Sequence, residues 1–135
     1  MKVYQTKIKR LAGSDQHEVY LKSREIYKRF AKKTKRKPYV RSVYFNKEKI
    51  FLDYFWEHLY QKNPWDRFRR LKYYACAIDL IQHSRIDPYS VQNPNRLSQV
   101  LHRFEGKSKE GDSFFVQITE DKRTNQKYFI SVFPK

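Results

Sequence analysis

Two periods divide the chain. Up to about residue 83 apolar positions recur every three or four residues, and after residue 100 they alternate. Val19, Ile26 and Phe30 lie at helical spacing, flanked by Tyr20 and Tyr27, and predict a helix over 15–34. Ser14 or Asp15 would cap it, with Glu18 in the first turn and basic residues in the last, both favoured by the helix dipole. Pro38 ends any helix there, and Tyr39 to Phe45, rich in β-formers, reads as a short strand or an extended connector. Asn46 reads as the N-cap of a second helix over 47–61, with Ile50, Phe51, Tyr54, Phe55 and Leu59 on its apolar face. Asn63-Pro64 stops that helix and starts a third over 64–83, packed through Phe68, Leu71, Ala75, Ile78 and Leu80 or Ile81. Beyond a loop at Pro88 and Asn93-Pro94-Asn95, residues 100–105, 113–120 and 127–133 read as strands. The polar turn 121–126 joins the last two as a hairpin. Residues 1–13 are ambiguous, an extended arm broken at Gly13-Ser14.

This order predicts an α+β fold: about three N-terminal helices packed on a small C-terminal antiparallel sheet of three to four strands. A chain of 135 residues fits one domain spanning 1–135. The hydrophobic share is only 39%, but it includes 11 Tyr, 10 Phe and 2 Trp. Each such ring buries roughly 150–250 Å², so a modest number makes a core.

Charge then changes the picture. Thirty Lys and Arg against 14 Asp and Glu give a formal +16, whereas solubility alone asks for about 2–8. Residues 1–45 form a strongly basic N-terminal region, with 14 basic and 3 acidic side chains. No carboxylate stands between Glu25 and Glu48, where Lys28, Arg29, Lys32, Lys33, Lys35, Arg36, Lys37 and Arg41 follow one another. Such a field attracts polyanions and gains from counterion release, so the expected partner is a nucleic acid, RNA before DNA. An acidic protein is the lesser alternative.

Several chemistries drop out. The start of the chain lacks the apolar core of a signal peptide, and no window approaches a membrane span. Cys76, the single cysteine, permits no intramolecular disulfide; set in Tyr74-Ala75-Cys76-Ala77-Ile78, it reads as a buried structural thiol of a cytoplasmic protein. Gly13, Gly106 and Gly111 match no phosphate-loop spacing. His17, His58, His83 and His102 lack metal-ligand spacing, and the carboxylates are scattered, so neither metal nor cofactor is implied. RNA, however, carries its own nucleophile in the 2′-hydroxyl, and its cleavage needs only a base, an acid and cations.

The segments Leu101-His102-Arg103-Phe104-Glu105-Gly106-Lys107, Phe114-Phe115-Val116-Gln117-Ile118 and Tyr128-Phe129-Ile130-Ser131-Val132-Phe133-Pro134 carry a resemblance. The helix-plus-sheet region 64–135 resembles phage- and mobile-element-associated members of the barnase–EndoU–colicin–RelE superfamily. That resemblance implies a metal-independent endoribonuclease, with RelE-like members acting as toxins on mRNA or tRNA and an acidic antitoxin or inhibitor as a further partner. It implies His102 as general base or acid, Arg103 or Lys107 on the scissile phosphate and Ser131 as a hydrogen-bond donor to it. His83, near the end of the third helix beside Arg85, is a candidate second catalytic group. Arg103, Arg85 and the Lys28–Arg41 cations are the candidate RNA contacts. On a regular strand His102 and Phe104 share one face and Arg103 takes the other, so a bulge is needed for both neighbours to reach one phosphate. Ser131 would share its face with Phe129 and Phe133. The alternative is a non-catalytic nucleic-acid-binding protein that works through its basic N-terminal half.

Overall fold

The computed structural model describes residues 2–135. In chain order the elements are β1 (Tyr4–Gln5), α1 (Gln16–Lys33), β2 (Tyr39–Ser42), β3 (Glu48–Phe51), α2 (Asp53–Tyr60), α3 (Pro64–Leu71), α4 (Tyr74–His83), β4 (Tyr89–Gln92), β5 (Gln99–Lys107), β6 (Ser113–Asp121) and β7 (Gln126–Pro134). The strands form one seven-stranded mixed sheet in the order β1-β5-β6-β7-β3-β2, with β4 on the same edge of β5 as β1. This corrects the expected architecture. The helices do not all precede the sheet, since α2, α3 and α4 lie between β3 and β4. Nor is the sheet small or purely antiparallel: β1 runs parallel to β5, and β3 parallel to β7.

Two local errors explain the correction. Asn46 does not cap a helix; it and Lys47 take φ of 57° and 64°, the left-handed region that a tight turn uses and Asn tolerates. The Lys47 N–H donates to the Ser42 carbonyl at 2.7 Å, closing a hairpin between β2 and β3. Residues 48–51 therefore continue as strand, and the helical stretch shrinks to α2. The third helix, expected over 64–83, breaks at Tyr73, whose ψ is 5°. Before the break the sequence is amphipathic and arginine-rich, and α3 buries only Leu71. After it, every residue from Tyr74 to Ile81 is buried. One straight helix cannot serve both environments, so the chain turns and α4 enters the interior.

The sheet curls around α4 into a half-barrel. The helix meets β2 at one end of the sheet and β5 near the other. At β5 the approach is so close that a Cβ on Gly106 would lie 2.7 Å from Leu80 Cδ1 and 2.8 Å from Phe114 Cζ. The wrapped face carries Phe104, Phe114, Val116, Ile118, Phe129 and Val132, all buried. Phe55 of α2 stacks on Phe129 with ring centroids 4.8 Å apart and planes 9° from parallel. Cys76 lies in this core, where burial pushes its thiol up to about 11.

A bulge in β7 decides which side chains face out. Gln117 pairs with Ser131 and Ile118 with Phe129, which leaves Ile130 unopposed. Without the extra residue, Phe129 and Ser131 would share a face. With it, Phe129 and Val132 both point inward, while Tyr128, Ser131 and Phe133 look outward. Among the described residues no helix is long and apolar enough to cross a membrane.

Candidate nucleic-acid interface

The outward face is built from the residues that alternate with the core. Register places Tyr39 opposite Phe51, Phe51 opposite Tyr128, Tyr128 opposite Thr119 and Thr119 opposite Leu101. One row thus crosses β2, β3, β7, β6 and β5. Tyr54 of α2 joins its middle, 4.7 Å from Tyr128 between ring centroids. Phe51 and Tyr128 lie 5.9 Å apart and only 36° from parallel, whereas Tyr39 stands at 75° to Phe51 and Tyr54 at 88° to Tyr128. The result is a trough with two rings as its floor and two as its walls. Among the described residues, none of these four rings belongs to the hydrophobic core.

Cations flank the row. On one side a groove of about 680 Å³ is lined by Lys33, Lys35, Arg36, Lys37 and Lys49 together with Tyr39 and Phe51. On the other a groove of about 550 Å³ runs past Tyr54, Tyr128, His58, Arg96 and Arg123, with Asn93, Gln99, Gln117 and Thr119 among its polar walls. Asp121 is the one carboxylate lining either groove among the described residues, and Arg123 pairs with it at 3.4 Å.

The next row toward the end of β7 holds Arg103, Gln117 and Ser131 side by side across three strands. Arg70 of α3 donates to Ser131 Oγ at 2.7 Å and is fixed from behind by Asp66 at 3.1 Å. With its amide oxygen turned toward β5, Gln117 accepts from the Arg103 guanidinium at 2.9 Å. Both guanidiniums stand over Phe133, at 5.4 Å for Arg70 and 5.6 Å for Arg103. This is a pair of oriented arginines on an aromatic base, a geometry suited to phosphate oxygens. His58 lies in the same groove. Burial, then the Lys62 and Arg70 charges, lower its pKa against a smaller opposing pull from Glu57, so the ring is neutral at neutral pH.

The expected site residues divide between surfaces. Ser131 and Arg103 come together on the outward face. His102 points the other way, toward the wrapped face. Its Nδ1 lies 2.6 Å from Ser90 Oγ and its Nε2 2.9 Å from Glu120 Oε1. Burial would raise Glu120, but the His102 bond and the Lys127 and Lys122 charges outweigh it and hold the carboxyl below its usual range. An ionised Glu120 only accepts, so His102 Nε2 carries the proton of that bond. Lys127, 5% exposed, links Glu120 to Glu48, and Phe45 closes over His102 at 5.2 Å.

Lys107 is exposed at the far end of β5, opposite Ser113. His83 pairs instead with Asp79, at 3.7 Å, which also accepts from Tyr4 and the Lys7 backbone. No hydrogen bond or ion pair among the described residues joins His83 to the His102 cluster. Arg85 is exposed in the loop after α4. Lys28, Arg29, Lys32, Lys33, Lys35, Arg36, Lys37 and Arg41 are all exposed, and none forms an ion pair among the described residues.

Sequence reasoning missed Tyr39, Lys49, Phe51, Tyr54, His58, Arg70, Arg96, Gln117, Arg123 and Tyr128 as a functional set. The signal was the alternation of Lys49 and Phe51 around buried Ile50, which marks a strand rather than a helix. Among the described residues no cluster of three or more His, Cys, Asp and Glu side chains is arranged to hold a metal ion. Comparison with protein-family models, curated proteins and solved structures finds no match.

Proposed function

We propose that this protein binds RNA across the outward face of its sheet and the adjoining basic end of α1. The observation that carries this reading is the row Tyr39–Phe51–Tyr128–Tyr54, outside the core and bordered by cations of which, among the described residues, only Arg123 has a carboxylate partner. An exposed Tyr54 and three half-buried rings beside cations offer stacking surfaces and phosphate contacts together. The test is an electrophoretic shift of a labelled RNA at several salt concentrations. Binding that weakens steeply with salt, and is weakened when Lys35, Arg36 and Lys37 become serine, supports the reading; RNA left unshifted at low salt overturns it.

A second reading, metal-independent cleavage of the bound RNA, is favoured by the neutral His58 beside Arg70 and Ser131. There the imidazole would take the 2′-hydroxyl proton, and the 2′-oxygen would attack phosphorus and break the bond to the 5′-oxygen. The products are a 2′,3′-cyclic phosphate and a 5′-hydroxyl that takes its proton from water; Arg70 and Arg103 would balance charge on the phosphorus oxygens. Incubation in excess EDTA with His58→Gln and His102→Ala variants decides it. Loss of cleavage with His58→Gln alone supports this arrangement. Loss with His102→Ala alone returns the chemistry to the wrapped face, and intact RNA throughout leaves a binding protein.

A further inference from the structure

We infer that the RNA held on the outward face is unpaired, a single strand whose bases enter the trough; this rests on the RNA-binding reading above. Two features separate this occupant from a duplex. First, the apolar floor is of use only to a base with a free face. In an A-form helix both faces of every base are stacked on neighbours, and the surface offered is phosphate, sugar and a shallow groove. Phe51 and Tyr128 lie between Tyr39 and Tyr54, which stand nearly perpendicular to them, and each of the two lines a groove wide enough for a flat group but not for a broad cylinder. Second, the groove that holds Arg96 and Arg123 is lined, besides His58 and Asp121, by amides and a hydroxyl: Asn93, Gln99, Gln117 and Thr119. Amides both donate and accept, which suits the Watson–Crick edges of bases, groups that a paired strand has already engaged.

The charges agree with one strand crossing the row. Lys33, Lys35, Arg36, Lys37 and Lys49 lie at one end, Arg96 and Arg123 at the other, and the Arg70–Arg103 pair lies one row away. A backbone running from the basic end of α1 across the sheet passes all three groups, while its bases turn toward Phe51 and Tyr128. The cations hold the strand, and the rings select its unpaired state.

Fluorescence anisotropy with the whole protein tests this, using a labelled 12-nucleotide RNA without self-pairing, the same sequence annealed to its complement, and the DNA strand of that sequence. The single RNA strand should bind at least about tenfold more tightly than the duplex. Replacing Phe51 and Tyr128 together by leucine keeps apolar volume but removes the flat rings. It should weaken single-strand binding about tenfold or more, with the slope of affinity against salt unchanged. Equal affinity for the duplex, or a leucine double variant that binds the single strand like the parent, overturns the inference while RNA binding stands. Equal affinity for the DNA strand overturns the assignment to RNA, and absence of binding to any probe overturns the RNA-binding reading itself. Should the double variant fail to fold, the parent's preference between single strand and duplex decides alone.

Discussion

His102 and Arg103 are neighbours on β5, yet the pleat gives them to different surfaces, and the two surfaces differ in how many of their charges are paired. On the wrapped face the ionic groups at the sheet's end satisfy one another: His102 with Glu120, Glu120 with Lys127, Lys127 with Glu48. Burial explains the pairing, since an isolated charge taken out of water is costly and leaves no choice but a partner. On the outward face and the adjoining end of α1, Arg96, Arg103, Lys49, Lys33, Lys35, Arg36 and Lys37 form no ion pairs among the described residues. Water pays for their solvation, and the fold gains nothing from their sign. Part of the net +16 therefore lies where it does no structural work, which is the physical reason to seek its role in binding.

The sharpest way to break this contrast is to cut adjacent residues on β7. Phe129→Ala empties a fully buried site against Phe55 and should cost about 3–5 kcal/mol in urea unfolding. Tyr128→Ala removes a half-exposed ring and should cost about 1 kcal/mol or less, while weakening RNA binding. The folded fraction of Phe129→Ala should bind RNA as the parent does. If Tyr128→Ala were as destabilising as Phe129→Ala, the outward row would be a second core rather than a binding surface.

How much of this was legible beforehand follows from where the signals were local. The first helix was, because Asp15 caps it through its own side chain and Val19, Ile26 and Phe30 mark its buried side. The buried set Phe114, Val116 and Ile118 was, because alternation persists along β6. The β2–β3 hairpin was not: a left-handed Asn46-Lys47 pair lacks the glycine that usually announces such a turn, and Ile50, Phe51, Tyr54 and Phe55 happen to fit a helical stripe. β1 and β4 are short and take their existence from β5, which no local pattern reveals. The candidate site suffered most from these gaps. Its row crosses five strands, so it appears only once register is known, and the bulge at Ile130 reverses the side to which Ser131 belongs. Arg103 and Ser131 were legible singly; their meeting with Arg70 was not.

A smaller effect separates the surfaces by salt. With Lys35, Arg36 and Lys37 changed to serine, the slope of log affinity against log salt should become shallower by about 2, at roughly 0.7 per phosphate contact on a single strand. The melting temperature should stay level or rise, since these side chains form no ion pairs and repel one another. A large loss of stability in that variant would mean that the basic end of α1 is structural after all.

Glu120→Gln probes the paired surface, with an expected cost of about 1–3 kcal/mol at neutral pH from weakened bonds to His102 and the lysines. The pH dependence carries the diagnostic sign. A carboxyl held below its ordinary 4.5 contributes stability above that pH and loses it as pH falls through the lowered folded value. Parent and variant should therefore differ most at neutral pH and converge on acidification below about pH 4.5 in denaturation measurements. Parallel curves would remove Glu120 from the ion-pair account.

The smallest expected effect, about two- to fivefold, links pH to the outward face through His58. Burial and the Lys62 and Arg70 charges depress its pKa, so the folded protein resists a proton that the unfolded chain accepts near 6.5. Stability attributable to this group is complete above about pH 6.5 and declines as pH falls below it. Binding should move in the other direction. Once protonated, the imidazole adds a cation beside Arg70, so RNA affinity at fixed ionic strength should rise between pH 7.5 and 5.5, and bound phosphate should raise the ring's pKa in return. His58→Gln should flatten both trends, as read from anisotropy titrations and from the histidine proton resonances with and without RNA. His102→Gln should leave the binding trend intact, because that ring faces the core and has both nitrogens engaged. A binding trend that vanished with His102→Gln and survived His58→Gln would put the pH-sensitive surface on the wrapped side of the sheet, and the two faces would have exchanged roles.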